Sequence, residues 1–184
     1  TGTIDYVSPQ IYWPLNDAKA PFGTVTKWWN DVAKKFGRHH YASHYNTSTT
    51  VMTPGDESTY QELLNEVETN RSFNTNNTPG SIFYSARCLL LGDWGDTFRK
   101  YTADNIYKYK TIPPVYTWWE KANYKAPANF VNTSGELSWD KASDDQSCHY
   151  AVYALPNSLP LADFKDSYND ARNKYLLDLT YNTS

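Results

Sequence analysis

The chain begins with an alternation. Across residues 4–13, apolar Val7 and Ile11 interleave with Ser8, Gln10 and Tyr12, the period-two pattern of a strand with one packed face and one hydrogen-bonding face. Pro14, Pro21 and Gly23 break that run. Val25, Trp28, Val32 and Phe36 then recur at helical spacing, with Lys34 and Lys35 in the last turn and Gly37 beyond, which predicts an amphipathic helix with a defined stop. Residues 39–45 return to strand spacing, with His40, Ala42 and His44 on one face and Tyr41, Ser43 and Tyr45 on the other. A polar loop carrying Pro54-Gly55 leads into a second helix, defined by Tyr60, Leu63, Leu64 and Val67 and ending near Asn70-Arg71. Pro79-Gly80 turns the chain into a third strand, read as residues 81–91. A further helix runs from about Asp96 toward Tyr107, with Asp96 as its N-cap.

Strand, helix, strand, helix, strand, helix with short connections is the signature of parallel βα units. The texture changes near Ala126-Pro127. Phe130, Leu137 and Trp139, then Tyr150, Val152 and Tyr153, then Leu176, Leu177, Leu179 and Tyr181 lie in short strand-like runs between polar turns. The division expected is an α/β part over residues 1–125 and an all-β part over residues 126–184.

Composition narrows the function classes. A net charge of −3 and no basic block beyond Lys34-Lys35 argue against nucleic acid and against a polybasic membrane surface. No apolar run is long enough to span a bilayer, and the first residues lack the regions of a signal peptide. Sixteen Tyr and seven Trp against one Met bias the chain toward flat amphipathic surfaces that suit sugar rings. Cys88 and Cys148 fall in different segments and read as buried thiols. Sequons such as those at Asn46 and Asn132 matter only in a glycosylating pathway.

Residues 4–13, Ile-Asp-Tyr-Val-Ser-Pro-Gln-Ile-Tyr-Trp, resemble a strand of the bacterial glycosyl-hydrolase-like family ten. The resemblance continues through Trp28-Trp29, Tyr41-Ala42-Ser43-His44, Asn70-Arg71, residues 80–86 (Gly-Ser-Ile-Phe-Tyr-Ser-Ala) and, more loosely, Gly92 to Asp96. It covers residues 4 to about 120. The chain departs from the family pattern at Ala42-Ser43, where Ile-Gly is usual, and at Glu66, where Gln is usual. The resemblance implies that the three strands are the sixth, seventh and eighth of a (β/α)8 TIM-type barrel, and that the proposed catalytic acids lie on earlier strands outside this chain. Residues 126–184, with their Pro-Ala-Asn-Phe start and Gly-Glu-Leu-Ser-Trp strand, resemble the beginning of a fibronectin type III sandwich.

Glycoside hydrolysis ordinarily uses two carboxyl groups flanking the bond, and no such pair falls on these strand ends. What the chain offers is the substrate-positioning half of a site. Gln10, Tyr12 and Trp13 are expected at the mouth, holding hydroxyls and stacking on a ring, with Tyr12 and Trp13 as core caps the bland alternative. His44 is expected to point into the same cavity as Gln10, either holding a hydroxyl or standing as a satisfied core histidine. Asp93 is either a sugar contact or a solvated loop residue. Arg87, placed at the end of the third strand, is a candidate for an anionic sugar group or an exterior ion pair. His39-His40 and His44 lack a carboxylate or cysteine at ligand spacing, so no metal and no cofactor are expected. Ser85 has no nucleophile elbow. Trp118-Trp119 reads as packing first and a sugar platform second.

The expected partners are a glycan substrate, such as a peptidoglycan or other polysaccharide strand, and no nucleic acid or membrane span. The expected location is extracytoplasmic. A non-catalytic carbohydrate-binding or adhesion module is the competing class. Three parallel strands cannot close a barrel, and Ser8, Gln10, Phe83 and Ser85 are expected to face its interior. A missing part of the same chain or a second copy is therefore expected to complete it.

Overall fold

The computed structural model describes residues 3–46, 57–73, 80–90, 92–112, 114, 116–119, 126–141, 149–158 and 174–180. The protein is mixed α/β and divides into two compact units: Thr1–Lys108 with Pro114–Trp118, and Tyr109–Pro113 with Trp119–Ser184.

The first unit is built on three parallel strands in sequence order, β1 (Tyr6–Val7), β2 (His39–Tyr45) and β3 (Gly80–Tyr84). Helix α1 (Phe22–Lys35) joins β1 to β2, and α2 (Glu57–Ser72) joins β2 to β3. Tyr6 pairs with His39, and Tyr41 to Tyr45 pair in order with Gly80 to Tyr84. β1 is short because Pro9 has no N–H to give. Its carbonyl still accepts from Ser43 N at 3.2 Å, and Ile11 N donates to Ser43 O at 3.2 Å, so pairing resumes at Gln10. After β3 come α3 (Arg87–Leu90), α4 (Gly92–Tyr101) and a π-helical turn, Thr102–Ile106.

The third strand is therefore shorter than the sequence predicts. β3 ends at Tyr84, and Leu89 and Leu90 belong to a helical turn in which Leu89 N bonds Ala86 O at 2.9 Å. A short apolar run does not by itself distinguish a buried strand from a helix segment. Arg87 consequently opens α3 on the surface rather than ending a strand. Asp96 lies inside α4, ion-paired with Arg99, and caps nothing.

α1 has the predicted stop. Gly37 takes φ 59°, its N–H bonds Lys34 O at 3.0 Å, and Arg38 N bonds Ala33 O at 2.9 Å, a Schellman closure that only a left-handed residue permits without strain. Its buried stripe, however, is Phe22, Thr26, Asn30 and Ala33, while Trp28 and Phe36 are exposed. Small and polar residues win the inner face because Asn30 Nδ2 donates to Phe73 O at 2.9 Å and Phe22 fills the space against Ile11 and Ala42.

The larger core joins Tyr60, Leu63 and Val67 of α2 to Phe98 of α4 and Ile106, with Phe83 packed against it. The helices thus cover one face of the sheet. No helix among the described residues is long and apolar enough to cross a membrane.

The second unit contains two antiparallel pairs. β4 (Ala128–Thr133) and β5 (Glu136–Asp140) form a hairpin whose turn residues, Ser134 and Gly135, both have positive φ, as a two-residue turn with the strands' own twist requires. Gly135 N bonds Asn132 Oδ1 at 3.0 Å, and Asn129, also at positive φ, sits in a bulge. β6 (Tyr150–Tyr153) pairs with β7 (Leu176–Thr180), where Leu176 is buried. The Trp139 ring lies against Phe130 at 6.5 Å and edge-on to Tyr150 at 5.2 Å.

Candidate functional site

Alternation along the three strands sends Tyr6, Ser8, Tyr41, Ser43, Tyr45, Ile82 and Tyr84 to the face away from the helices. Because the strands are parallel and nearly in step, their C-terminal ends meet there. Tyr12, Tyr45 and Tyr84 form a cluster, with centroid separations of 5.2 Å for Tyr12–Tyr45, 6.0 Å for Tyr12–Tyr84 and 6.2 Å for Tyr45–Tyr84; the Tyr45 and Tyr84 rings are within 13° of parallel and Tyr12 is tilted 29–36° from them. Tyr84 remains about half exposed. Burial, then the neighbouring Tyr84 and Tyr45 phenols, push the Tyr12 hydroxyl above its ordinary pKa, so it stays a neutral donor and acceptor.

Gln10 is exposed and in register with Ser43, whose hydroxyl meets that of Ser8 at 2.8 Å. Trp13 is 45% exposed just beyond the strand end. Gln10 and Tyr12 are thus brought to one end of one face, joined there by Tyr45 and Tyr84. The last two were not singled out from the sequence. Their signal was present: counting by twos from Tyr41 puts Tyr45 opposite His44, and parallel register puts Tyr84 beside it.

His44 does not join them. Its ring has no solvent exposure and is sandwiched between Phe22 of α1 at 5.0 Å and Phe83 of β3 at 5.3 Å. Nδ1 lies 2.8 Å from Glu66 Oε2 of α2, and Nε2 lies 2.9 Å from Ser81 Oγ. The expectation that His44 shares a cavity with Gln10 is therefore corrected, and Phe83 with it: both face the helix layer. The alternation along β2 is as the sequence predicts, but which phase is covered depends on where α1 and α2 land, and a carboxyl group and a hydroxyl there make a histidine an acceptable core residue.

Burial, with Glu62 adding to it, pushes the Glu66 carboxyl from its ordinary 4.5 up to about 8. Burial, with His40 adding to it, pushes His44 from 6.5 down to about 3. Both directions favour the uncharged form. A protonated Glu66 then donates to Nδ1, and Nε2–H donates to Ser81 Oγ, which also accepts from Asn70 Nδ2 at 3.4 Å. His40, fully buried with neither ring nitrogen hydrogen-bonded, is held down to about 4 by burial alone.

At the opposite, N-terminal end of the strands a second aromatic group closes the open face. His39 stacks on Tyr116 at 5.2 Å and meets Trp118 edge-on at 4.8 Å, while Tyr6 meets Tyr41 at 5.3 Å. Trp118 Nε1 donates to Asp5 Oδ1 at 2.7 Å, and the Arg38 guanidinium lies 4.7 Å over the Trp118 ring. Trp118 is thus bound into packing, far along the strands from the Tyr12 end. Burial, with Tyr116 adding to it, pushes the Tyr41 hydroxyl up to about 12.

Arg87 is exposed on α3. The backbone of Asp93 lies within α4, and its side chain, like Cys148, falls outside what is described. The Asn46 sequon has its amide buried, with Nδ2 donating to Ser85 O at 3.4 Å, so that side chain is not available for glycosylation. No group of three or more metal-ligating side chains converges among the described residues.

Comparison with known proteins finds relatives named glycosyl hydrolases. The chain is 23% identical over 164 residues to the glycosyl hydrolase YngK of Bacillus subtilis (strain 168), a match covering 83% of this chain and 31% of that protein. A 33-residue stretch is 48% identical to the glycosyl hydrolase DigH of Escherichia coli (strain K12), covering 18% of this chain and 8% of DigH. No protein-family profile and no solved structure matches. The chain is thus distantly related to proteins named glycosyl hydrolases, and the YngK match spans about a third of that protein's length.

Proposed function

We propose that this chain carries the sugar-positioning part of a glycoside-hydrolase-like protein, with Tyr12, Tyr45 and Tyr84 as the platform on which a glycan lies. The observation that carries this is the cluster of three phenol rings, Tyr45 and Tyr84 stacked and Tyr12 tilted against them, at the C-terminal ends of three parallel strands, on the face the helices leave open. Such ring faces bury the C–H face of a pyranose, while their hydroxyl edges and the Gln10 amide serve sugar hydroxyls. The strand order, with a helix after each strand, supports reading the first unit as the last three βα units of a (β/α)8 barrel, where ligands bind at that end.

On this reading the carboxyl groups that protonate and displace at the glycosidic carbon come from strands outside this chain, and the protein works where glycan strands are met, outside the cytoplasm. The β unit is read as the start of a fibronectin type III-like module, supported by Trp139 lying between Phe130 and Tyr150. The test is a titration of the intact protein with a panel of neutral and acidic oligosaccharides, repeated for Gln10→Ala and Tyr12→Ala with melting curves alongside. Weakened binding at an unchanged melting temperature is the expected result. Unchanged affinity with a large loss of melting temperature would make these residues core and remove the site.

A further inference from the structure

We infer that Glu66, His44 and Ser81 are positioning residues for the tyrosine cluster: one hydrogen-bonded chain, from α2 through β2 to β3, holds the register that brings Tyr45 and Tyr84 together. The inference rests on the reading of that cluster as a sugar platform. Glu66 Oε2 to His44 Nδ1 is 2.8 Å, His44 Nε2 to Ser81 Oγ is 2.9 Å, and Asn70 of α2 reaches Gly80 O at 3.0 Å. His44 and Phe83 are register partners, and so are their immediate neighbours Tyr45 and Tyr84. His44 therefore stands next to Tyr45 on β2, and Ser81 lies on the same strand as Tyr84, three residues before it. A one-residue slip of β2 would send His44 and Tyr45 to the wrong faces, and one of β3 would do the same to Phe83 and Tyr84.

The surroundings make the direction of these hydrogen bonds sensitive to one proton. Facing the pair are Phe22 from α1, Phe83 and Ser81 from β3, Glu62 from α2 and His40 from β2; of these, Glu62 and His40 titrate. Glu62 is held by Leu15 N at 2.7 Å, which ties the segment after Trp13 to the same helix. With Glu66 protonated, the chain runs O–H to Nδ1 and Nε2–H to Ser81 Oγ, and nothing in it is charged. Ionisation of Glu66 reverses it. Nδ1–H must then donate to the carboxylate and Ser81 must donate to Nε2, with a negative charge left inside the core beside Glu62. A glutamine at this position keeps a donor toward Nδ1 and cannot ionise.

The experiment uses the intact protein and two variants, Glu66→Gln and Glu66→Leu, titrated with a β-1,4-linked N-acetylglucosamine tetrasaccharide from about pH 6 to about pH 9, across the raised Glu66 value of about 8. Wild-type affinity is expected to fall on the order of fivefold over that range, Glu66→Gln to hold steady near the acid-side value, and Glu66→Leu to bind weakly throughout. Selective 15N labelling of histidine should show His44 changing tautomer, from Nε2–H to Nδ1–H, in the wild type alone. Glu66→Gln losing affinity as Glu66→Leu does, or a wild type with flat affinity and an unchanging His44 signal, overturns the inference. If no form binds the sugar, the platform reading fails for that ligand. Ring-to-ring NOEs between Tyr45 and Tyr84 then decide: weakened with rising pH in wild type but not in Glu66→Gln they support the positioning role, and unaltered in all forms they overturn it.

Discussion

The two faces of the three-stranded sheet are made from the same strands and invert the usual expectation of what lies where. The helix-covered face of β2 is His40, Ala42 and His44, all without solvent exposure, while the open face carries Tyr41, Ser43 and Tyr45. A hydropathy scale would exchange them. His44 suits the covered face because its partners, Glu66 and Ser81, are there with it, and tyrosine suits the open face because its ring packs laterally while its hydroxyl stays at the edge. The covered face therefore bears stability and the open face is the one proposed to meet a glycan, and substitutions on the two should separate cleanly.

The largest expected effect is on the covered side. His44→Ala leaves Glu66 buried without its partner and opens a space between Phe22 and Phe83, and should cost about 3–5 kcal/mol in urea unfolding. Ser43→Ala, one residue away and facing Ser8, should cost about 1 kcal/mol or less, since it removes a single part-buried hydroxyl pair. Equal losses would dissolve the distinction between the faces.

The pH dependence comes next. Glu66, raised from 4.5 to about 8, stabilises the fold fully below 4.5 and loses that contribution as pH climbs to about 8. His44 and His40, lowered from 6.5 to about 3 and about 4, act in the other direction and remove stability as pH falls below 6.5. The first unit should be most stable near pH 6.5 and lose about 2 kcal/mol by pH 8, the loss absent in Glu66→Gln. Unfolding midpoints across that range check it; a midpoint still rising toward pH 8 would place Glu66 in the ionised form.

The smallest effect is on α1. Trp28→Ala, on the exposed stripe, should change stability by about 0.5 kcal/mol or less, against about 3–5 kcal/mol for Phe22→Ala. That contrast also marks where sequence reasoning reaches its limit. The alternation of strands and helices up to β3 and the phase of β2 were readable, because the periods of Tyr41 to Tyr45 and of Tyr60, Leu63 and Val67 are local properties, whereas the apolar run after Tyr84 was not, since it serves a strand and a helix equally. Which phase is covered was not. α1 presents two candidate stripes, and the aromatic one lost to Phe22, Thr26, Asn30 and Ala33 through contacts with Phe73, Ile11 and Ala42 that lie elsewhere in the chain. The same non-local choice turned His44 inward and made Tyr45 and Tyr84 the neighbours of Tyr12. The placement of Gln10 and Tyr12 at the open end was legible because a run ending in aromatic and amide groups at a strand's C-terminal end leaves few other places for them.

The most direct test of the account is a carbohydrate titration of the intact protein carrying 13C-labelled tyrosine, followed by ring-carbon shifts. The sheet holds two tyrosine groups at its two ends, Tyr12, Tyr45 and Tyr84 at one and Tyr6 and Tyr41 at the other. Saturable shifts confined to Tyr12, Tyr45 and Tyr84 are the predicted result, and saturable shifts at Tyr6 and Tyr41 with the first group unmoved would contradict it.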